Sequence, residues 1–126
     1  MHLSHSVLIV DDDDDIRDAL LVYMAAFGLN VQVASSAEDA LRQIGEGFQP
    51  CVAIVDLSMP GMDGWHLIAR FREDLSLGAT GVVILSCDQS DRPRADALGV
   101  RQHIVKPAPP DAIVAAVEKH CGLRHL

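Results

Sequence analysis

Residues 7–15 read Val-Leu-Ile-Val-Asp-Asp-Asp-Asp-Asp, four aliphatic residues stopped by five acids. The run does not alternate apolar with polar residues, so it predicts a strand buried on both faces, as in a parallel sheet. The same signature returns at Val31–Ala34, Val52–Val55, Val82–Leu85 and His103–Val105. Helical segments lie between. The first runs from about Asp14 to Phe27, with Ile16, Leu20 and Phe27 on one face and Gly28 as its stop. The second opens on Ser35-Ser36-Ala37-Glu38, a capping-box spacing, and ends near Gly45 or Gly47. A third spans Gly64 to about Glu73. A short fourth has Pro93 in its first turn and is closed by Gly99, and a fifth follows Pro109-Pro110 and carries Ile113, Val114 and Val117. Five strand–helix units in alternation predict a three-layer α/β sandwich around a parallel sheet.

The chain has 126 residues and a net charge of −8, a length suited to one domain with one core, taken here as 1–126 with its core at about 7–121. Half the residues are apolar but few are aromatic, so the core is aliphatic and the chain is not of the disordered class. The acidic balance argues against direct nucleic-acid binding and against docking on anionic lipid. Cys51, Cys87 and Cys121 are odd in number and widely spaced, which suits reduced thiols in a cytoplasmic protein better than a zinc site. Val7–Val10 is too short for a signal peptide, and no apolar run approaches the length of a membrane span.

In sheets of this kind, ligands bind outside the carboxyl ends of the strands. Asp11, Asp12 and Asp13 follow the first strand, Asp56 the third, Ser86 the fourth and Lys106 the fifth. Three close carboxylates repel one another and would raise at least one pKa. Mg²⁺ relieves that repulsion, because it accepts one or two carboxylates together with waters and phosphate oxygens. Metal, ammonium and hydroxyl together suit phosphoryl transfer to a carboxylate nucleophile. Asp56, alone on its loop, is the best nucleophile. Asp13–Asp15 are instead expected in the first turn of the first helix, at the positive end of its dipole. An EF-hand is excluded, because Ile16 stands where the sixth position needs glycine.

Val7-Leu8-Ile9-Val10-Asp11-Asp12, Asp56 with Met59-Pro60-Gly61-Met62-Asp63-Gly64, Ser86, and Lys106-Pro107 together resemble the receiver domain of two-component response regulators. The resemblance runs from Val7 to about Cys121. It implies a flavodoxin-like sandwich with strand order 2-1-3-4-5 and five helices. It implies Asp56 as phosphoacceptor and Asp12 as a direct Mg²⁺ ligand, with Asp11 helping through water and the Ser58 backbone carbonyl completing the ligands. Lys106 would pair with the phosphoryl group, Ser86 would swing in to hydrogen-bond it, and the Lys106–Pro107 bond is often cis. Ser58 and Asp88 would flank the attacking water in dephosphorylation. The implied partners are a histidine kinase or phosphotransfer protein as donor and a downstream protein or output domain. Phosphorylation-linked dimerisation is a further expectation. Such a domain catalyses its own phosphorylation and hydrolysis without being a turnover enzyme.

Four positions depart from the family's habit. Cys87 replaces alanine or glycine, and a packing role for it is expected. His103 stands where Tyr or Phe is usual, so a weaker or pH-sensitive rotamer switch is expected there. Ala108 replaces a phenylalanine after Lys-Pro, which removes a packing contact. Pro93 delays the fourth helix and should leave Asp88–Arg92 as a longer, looser loop on the output face. Trp65 lies near the site loop, where it could report metal binding, although such a residue more often packs on its helix. Two other readings compete: a phosphatase of the haloacid-dehalogenase type using Asp11, for whose cap this chain has no room, and a degenerate receiver that only binds partners. Only Gly122–Leu126 follow Cys121, which leaves open a stand-alone receiver or one cut from a longer protein.

Overall fold

A computed structural model describes residues 6–57, 64–74, 80–86, 88–100 and 102–121. Its strands are β1 (Ser6–Val10), β2 (Asn30–Ala34), β3 (Val52–Asp56), β4 (Gly81–Ser86) and β5 (Gln102–Val105). Its helices are α1 (Asp14–Ala25), α2 (Ala37–Gly45), α3 (Gly64–Glu73), α4 (Arg92–Ala97) and α5 (Pro110–Cys121). The five strands form one parallel sheet in the order β2-β1-β3-β4-β5, as expected.

The unbroken aliphatic runs are explained by burial on both faces. Leu8 and Val10 of β1 enter one core with Ala53 and Val55 of β3, against Leu67, Ile68 and Phe71 of α3. Val7 and Ile9 enter the opposite core with Ile54, Val83 and Leu85, against Leu20 and Met24 of α1 and Val114 and Val117 of α5. Strand β3 is buried throughout, and β1 and β4 are buried apart from their first residues. The edge strands are not: β2 alternates exposed and half-buried residues, and β5 is half-buried along its length.

Local chemistry shifted some helix ends. The N-cap of α2 is Ser36, not Ser35, and its hydroxyl accepts from Asp39 N–H at 3.0 Å. Phe27 is not on the buried face of α1. It lies beyond the helix, 43% exposed, and leans on Tyr23, while Leu20 and Met24 fill the core. Asp88–Arg92 is not an open loop either. Gln89–Asp91 form a 3₁₀ turn, and the Asp88 carboxylate caps it by accepting from Ser90 N–H at 2.9 Å. Trp65 is in the core, with the Arg94 guanidinium 4.6 Å above its ring. Cys51 is a free thiol.

Candidate functional site

Parallel pairing brings the carboxyl ends of β1, β3, β4 and β5 to one edge, and the register carries the site residues with it. Asp11 follows β1 directly, Asp56 and Ser86 end β3 and β4, and Lys106 follows β5. Ladder-type bonds extend into the loops and fix these backbones: Asp11 N–H donates to Ala34 O at 3.1 Å and Lys106 N–H to Ser86 O at 2.7 Å. The Lys106–Pro107 peptide bond is cis.

Carboxylate oxygens of Asp11, Asp12 and Asp56 lie within 4.8 Å of one another. Asp11 and Asp56 are buried, whereas Asp12 faces solvent. Burial, and secondarily the negative charge of Asp56, push the Asp11 carboxyl up to about 6; the N–H of Asp13, 2.9 Å from Asp11 Oδ1, works against that rise. The other oxygen, Asp11 Oδ2, is buried and has no hydrogen-bond partner. An orphaned carboxylate oxygen is costly. A hard cation supplies the missing partner, so three carboxylates with one vacant, buried oxygen fit Mg²⁺ well.

On the far side of Asp56, Lys106 Nζ lies 3.1 Å from Asp56 Oδ2. Ser86 is buried. Its hydroxyl lies 2.6 Å from His103 Nε2 and 3.1 Å from the Asp88 carbonyl. Asp13 behaves as a structural acid, as expected, but from just outside α1: as N-cap it accepts from Asp15 N–H at 2.9 Å and Ile16 N–H at 3.2 Å. Ser58 and Cys87 lie outside the described residues, as does the 59–63 stretch.

Three features of the site were not read from the sequence. Arg17 donates to the Asp11 carbonyl at 3.0 Å and also pairs with Asp14, tying the first turn of α1 to the site loop. Gly64 opens α3 directly against β3, and a Cβ there would sit 2.8 Å from the Asp56 carbonyl oxygen. The Ser86–His103 bond joins two residues that lie on neighbouring strands. Gly64 had a sequence signal in its motif, while the other two depend on tertiary geometry.

A five-stranded 2-1-3-4-5 sheet with an acidic cluster at its carboxyl edge, faced by a lysine and a serine, defines a class. The chain belongs to the response regulator receiver domain family, whose family model matches residues 7–118. It is 36% identical to an uncharacterised 14.6 kDa protein of Leptolyngbya boryana, covering 91% of this chain and 88% of that protein. Against transcriptional regulatory proteins 30% identical to it, the chain spans about half their length (47%). Among solved structures it resembles a response regulator receiver protein of Pseudomonas putida, with TM-score 0.85, 26% identity, and 94% of this chain and 99% of that chain covered. Response regulator TrrA of Thermotoga maritima, solved in complex with Mg²⁺–BeF, shares the fold with TM-score 0.79 and 23% identity, over 91% of this chain and 97% of that one. The expected fold is thereby established. Among the described residues, no helix is long and apolar enough to cross a membrane.

Proposed function

We propose that this receiver accepts a phosphoryl group on Asp56 from a histidine kinase or phosphotransfer protein in the cytoplasm, and that the change is read by a downstream protein or output domain. The observation that carries this reading is the placing of Asp56 between a cation and a cation site: Lys106 Nζ at 3.1 Å on one side, the Asp11–Asp12 carboxylates on the other. An Asp56 carboxylate oxygen attacks phosphorus, an O–P bond forms, the P–N bond to the donor imidazole breaks, and the imidazole leaves with its electron pair. Lys106 neutralises charge on the phosphoryl oxygens. Asp11, Asp12 and Asp56, with the Ser58 carbonyl, would hold Mg²⁺, which supplies further charge neutralisation to those oxygens. Ser86 donates to a phosphoryl oxygen, and this differential contact shifts the face of α4, β5 and α5 between two states.

Acetyl phosphate with Mg²⁺ should add one phosphoryl mass to the parent chain, acid-stable but lost in base, and none to Asp56→Asn. No gain on the parent, or equal gain on both, ends this reading, and label on Asp11 would support the phosphatase alternative.

A further inference from the structure

Ser86 has one hydroxyl proton, and the structure shows where that proton is engaged. The buried oxygen lies 2.6 Å from His103 Nε2 and 3.1 Å from the Asp88 carbonyl, and Asp88 N–H approaches it at 3.4 Å. Among the described residues, no hydrogen bond runs from this hydroxyl to Asp56 or Lys106. The imidazole has no second hydrogen-bond partner among them. With the ring proton on Nδ1, Nε2 accepts from Ser86. Beside the ring, Gln89, Arg92, Ile104 and Val105 line a surface cleft of about 450 Å³, large enough for the imidazole to turn once it is released.

We propose that His103 is a positioning residue that latches Ser86 in the unphosphorylated protein. By accepting the hydroxyl proton, it keeps Ser86 from the phosphoryl position on Asp56, so phosphorylation must break the Ser86–His103 bond and free the imidazole into the cleft between α4 and β5. The proposal rests on Asp56 being the phosphoacceptor. A hydrogen bond to a charged phosphoryl oxygen is roughly twice as strong as a neutral one, so the phosphoryl group wins the proton but loses part of that gain to the broken latch. A Phe or other hydrocarbon ring at 103 would have no atom to accept it, so the latch depends on the imidazole.

The test uses ¹⁵N-histidine spectra of the whole chain, with Mg²⁺ and beryllofluoride as a stand-in for the phosphoryl group, beside acetyl phosphate. Ser86→Ala should move the His103 Nε2 resonance, and Ser86→Thr, which keeps the hydroxyl, should restore it. Mg²⁺–beryllofluoride should move it in the parent as Ser86→Ala does, and should leave it in place in Asp56→Asn. His103→Phe should tighten beryllofluoride binding by about two- to tenfold, the worth of one neutral hydrogen bond, and should have no effect when Ser86 is already Ala. An Nε2 resonance indifferent to Ser86→Ala, or weaker binding by His103→Phe, overturns the latch. A parent chain that takes no phosphate overturns the reading of Asp56 and the latch with it. Phosphorylation with an unmoved His103 resonance overturns the latch alone.

Discussion

Two groups reach the Asp56 edge from the β4–β5 side, and these flanks of the site are built differently. On one, Lys106 already stands 3.1 Å from the carboxylate, its backbone N–H tied to Ser86 O at 2.7 Å. On the other, Ser86 is buried, but its hydroxyl is turned to His103 and Asp88. The difference follows from charge. A buried carboxylate beside Asp11 needs a cation before any phosphate arrives, so the lysine must be in place in the resting state. A neutral hydroxyl has no such obligation and can be held elsewhere at little cost. On the proposed function, charge compensation is therefore prebuilt and the hydroxyl is recruited, which would put the conformational signal on the Ser86 flank.

The largest expected effect comes from breaking the prebuilt flank. Lys106→Met leaves Asp56, 3% exposed, next to Asp11 without its ammonium. Removing one partner of a buried pair costs about 3–5 kcal/mol, and the partial exposure of Lys106 lowers the expectation to about 2–3 kcal/mol at pH 7. Urea unfolding measures it, and Mg²⁺ should restore part of the loss. Ser86→Ala should cost far less. Equal losses from the two substitutions would erase the contrast between the flanks.

Next comes the residue packed against the Asp56 backbone. Gly64→Ala puts a methyl group 2.8 Å from the Asp56 carbonyl oxygen and 3.1 Å from Leu57 Cα, both backbone atoms that cannot swing aside. Overpacking of this kind costs about 1–3 kcal/mol. Because the strain falls on the Asp56 backbone, the acetyl phosphate rate should drop as well. Stability lost with an unchanged rate would show that α3 supports the sheet without setting the position of Asp56.

The acidic cluster makes its own prediction about pH. Burial, assisted by Asp56, lifts the Asp11 carboxyl from the ordinary 3.8 to about 6. Between those values the unfolded chain has already lost this proton while the folded chain keeps it, so stability falls as pH rises through the window and levels off above it. Urea midpoints should thus improve on acidification from pH 7 to about 5, and Asp11→Asn should flatten that slope. Mg²⁺ competes with the same proton, so its affinity should weaken about tenfold or more over the same interval, read by Trp65 fluorescence or calorimetry. A slope that persists in Asp11→Asn would assign it to another group.

The sheet was legible because parallel strands buried on both faces must be aliphatic throughout, and the edge strands were legible despite fitting that rule less well. Asp11, Asp12, Asp56, Ser86 and Lys106 could be gathered from sequence because each sits at or just beyond a strand's end, where topology alone decides what converges. What escaped was side-chain direction. Nothing in the spacing of Ser86 and His103 reveals that β4 and β5 bring hydroxyl and imidazole to 2.6 Å. The same limit explains Phe27, whose helical phase put it in the core but whose place after Ala25 put it in solvent. The α2 cap moved by one residue because Ser35 and Ser36 offer the same chemistry, and Asp39 was as good a partner for the second as Glu38 for the first.

The smallest effect tests whether the two flanks are independent. Behind Lys106 lies an open apolar pocket of about 510 Å³, between Ile16, Ala19 and Leu20 of α1 and Pro107, Ala108 and Ile113. It is the counterpart of the packing contact expected to be missing at Ala108. Apolar cavities of about 150 Å³ hold a benzene ring, so a phenyl group introduced here has room without displacing its neighbours. Ala108→Phe should raise stability by about 1 kcal/mol through filling of the pocket, seen as a higher urea midpoint at unchanged slope. Because the pocket lies on the Lys106 flank, beryllofluoride affinity and the His103 Nε2 resonance should stay where they are. If either moves with the ring, packing under Lys106 is felt at Ser86 through β4, where Leu85 lines the pocket next to the serine. The flanks would then be two ends of one coupled element rather than a fixed half and a mobile half.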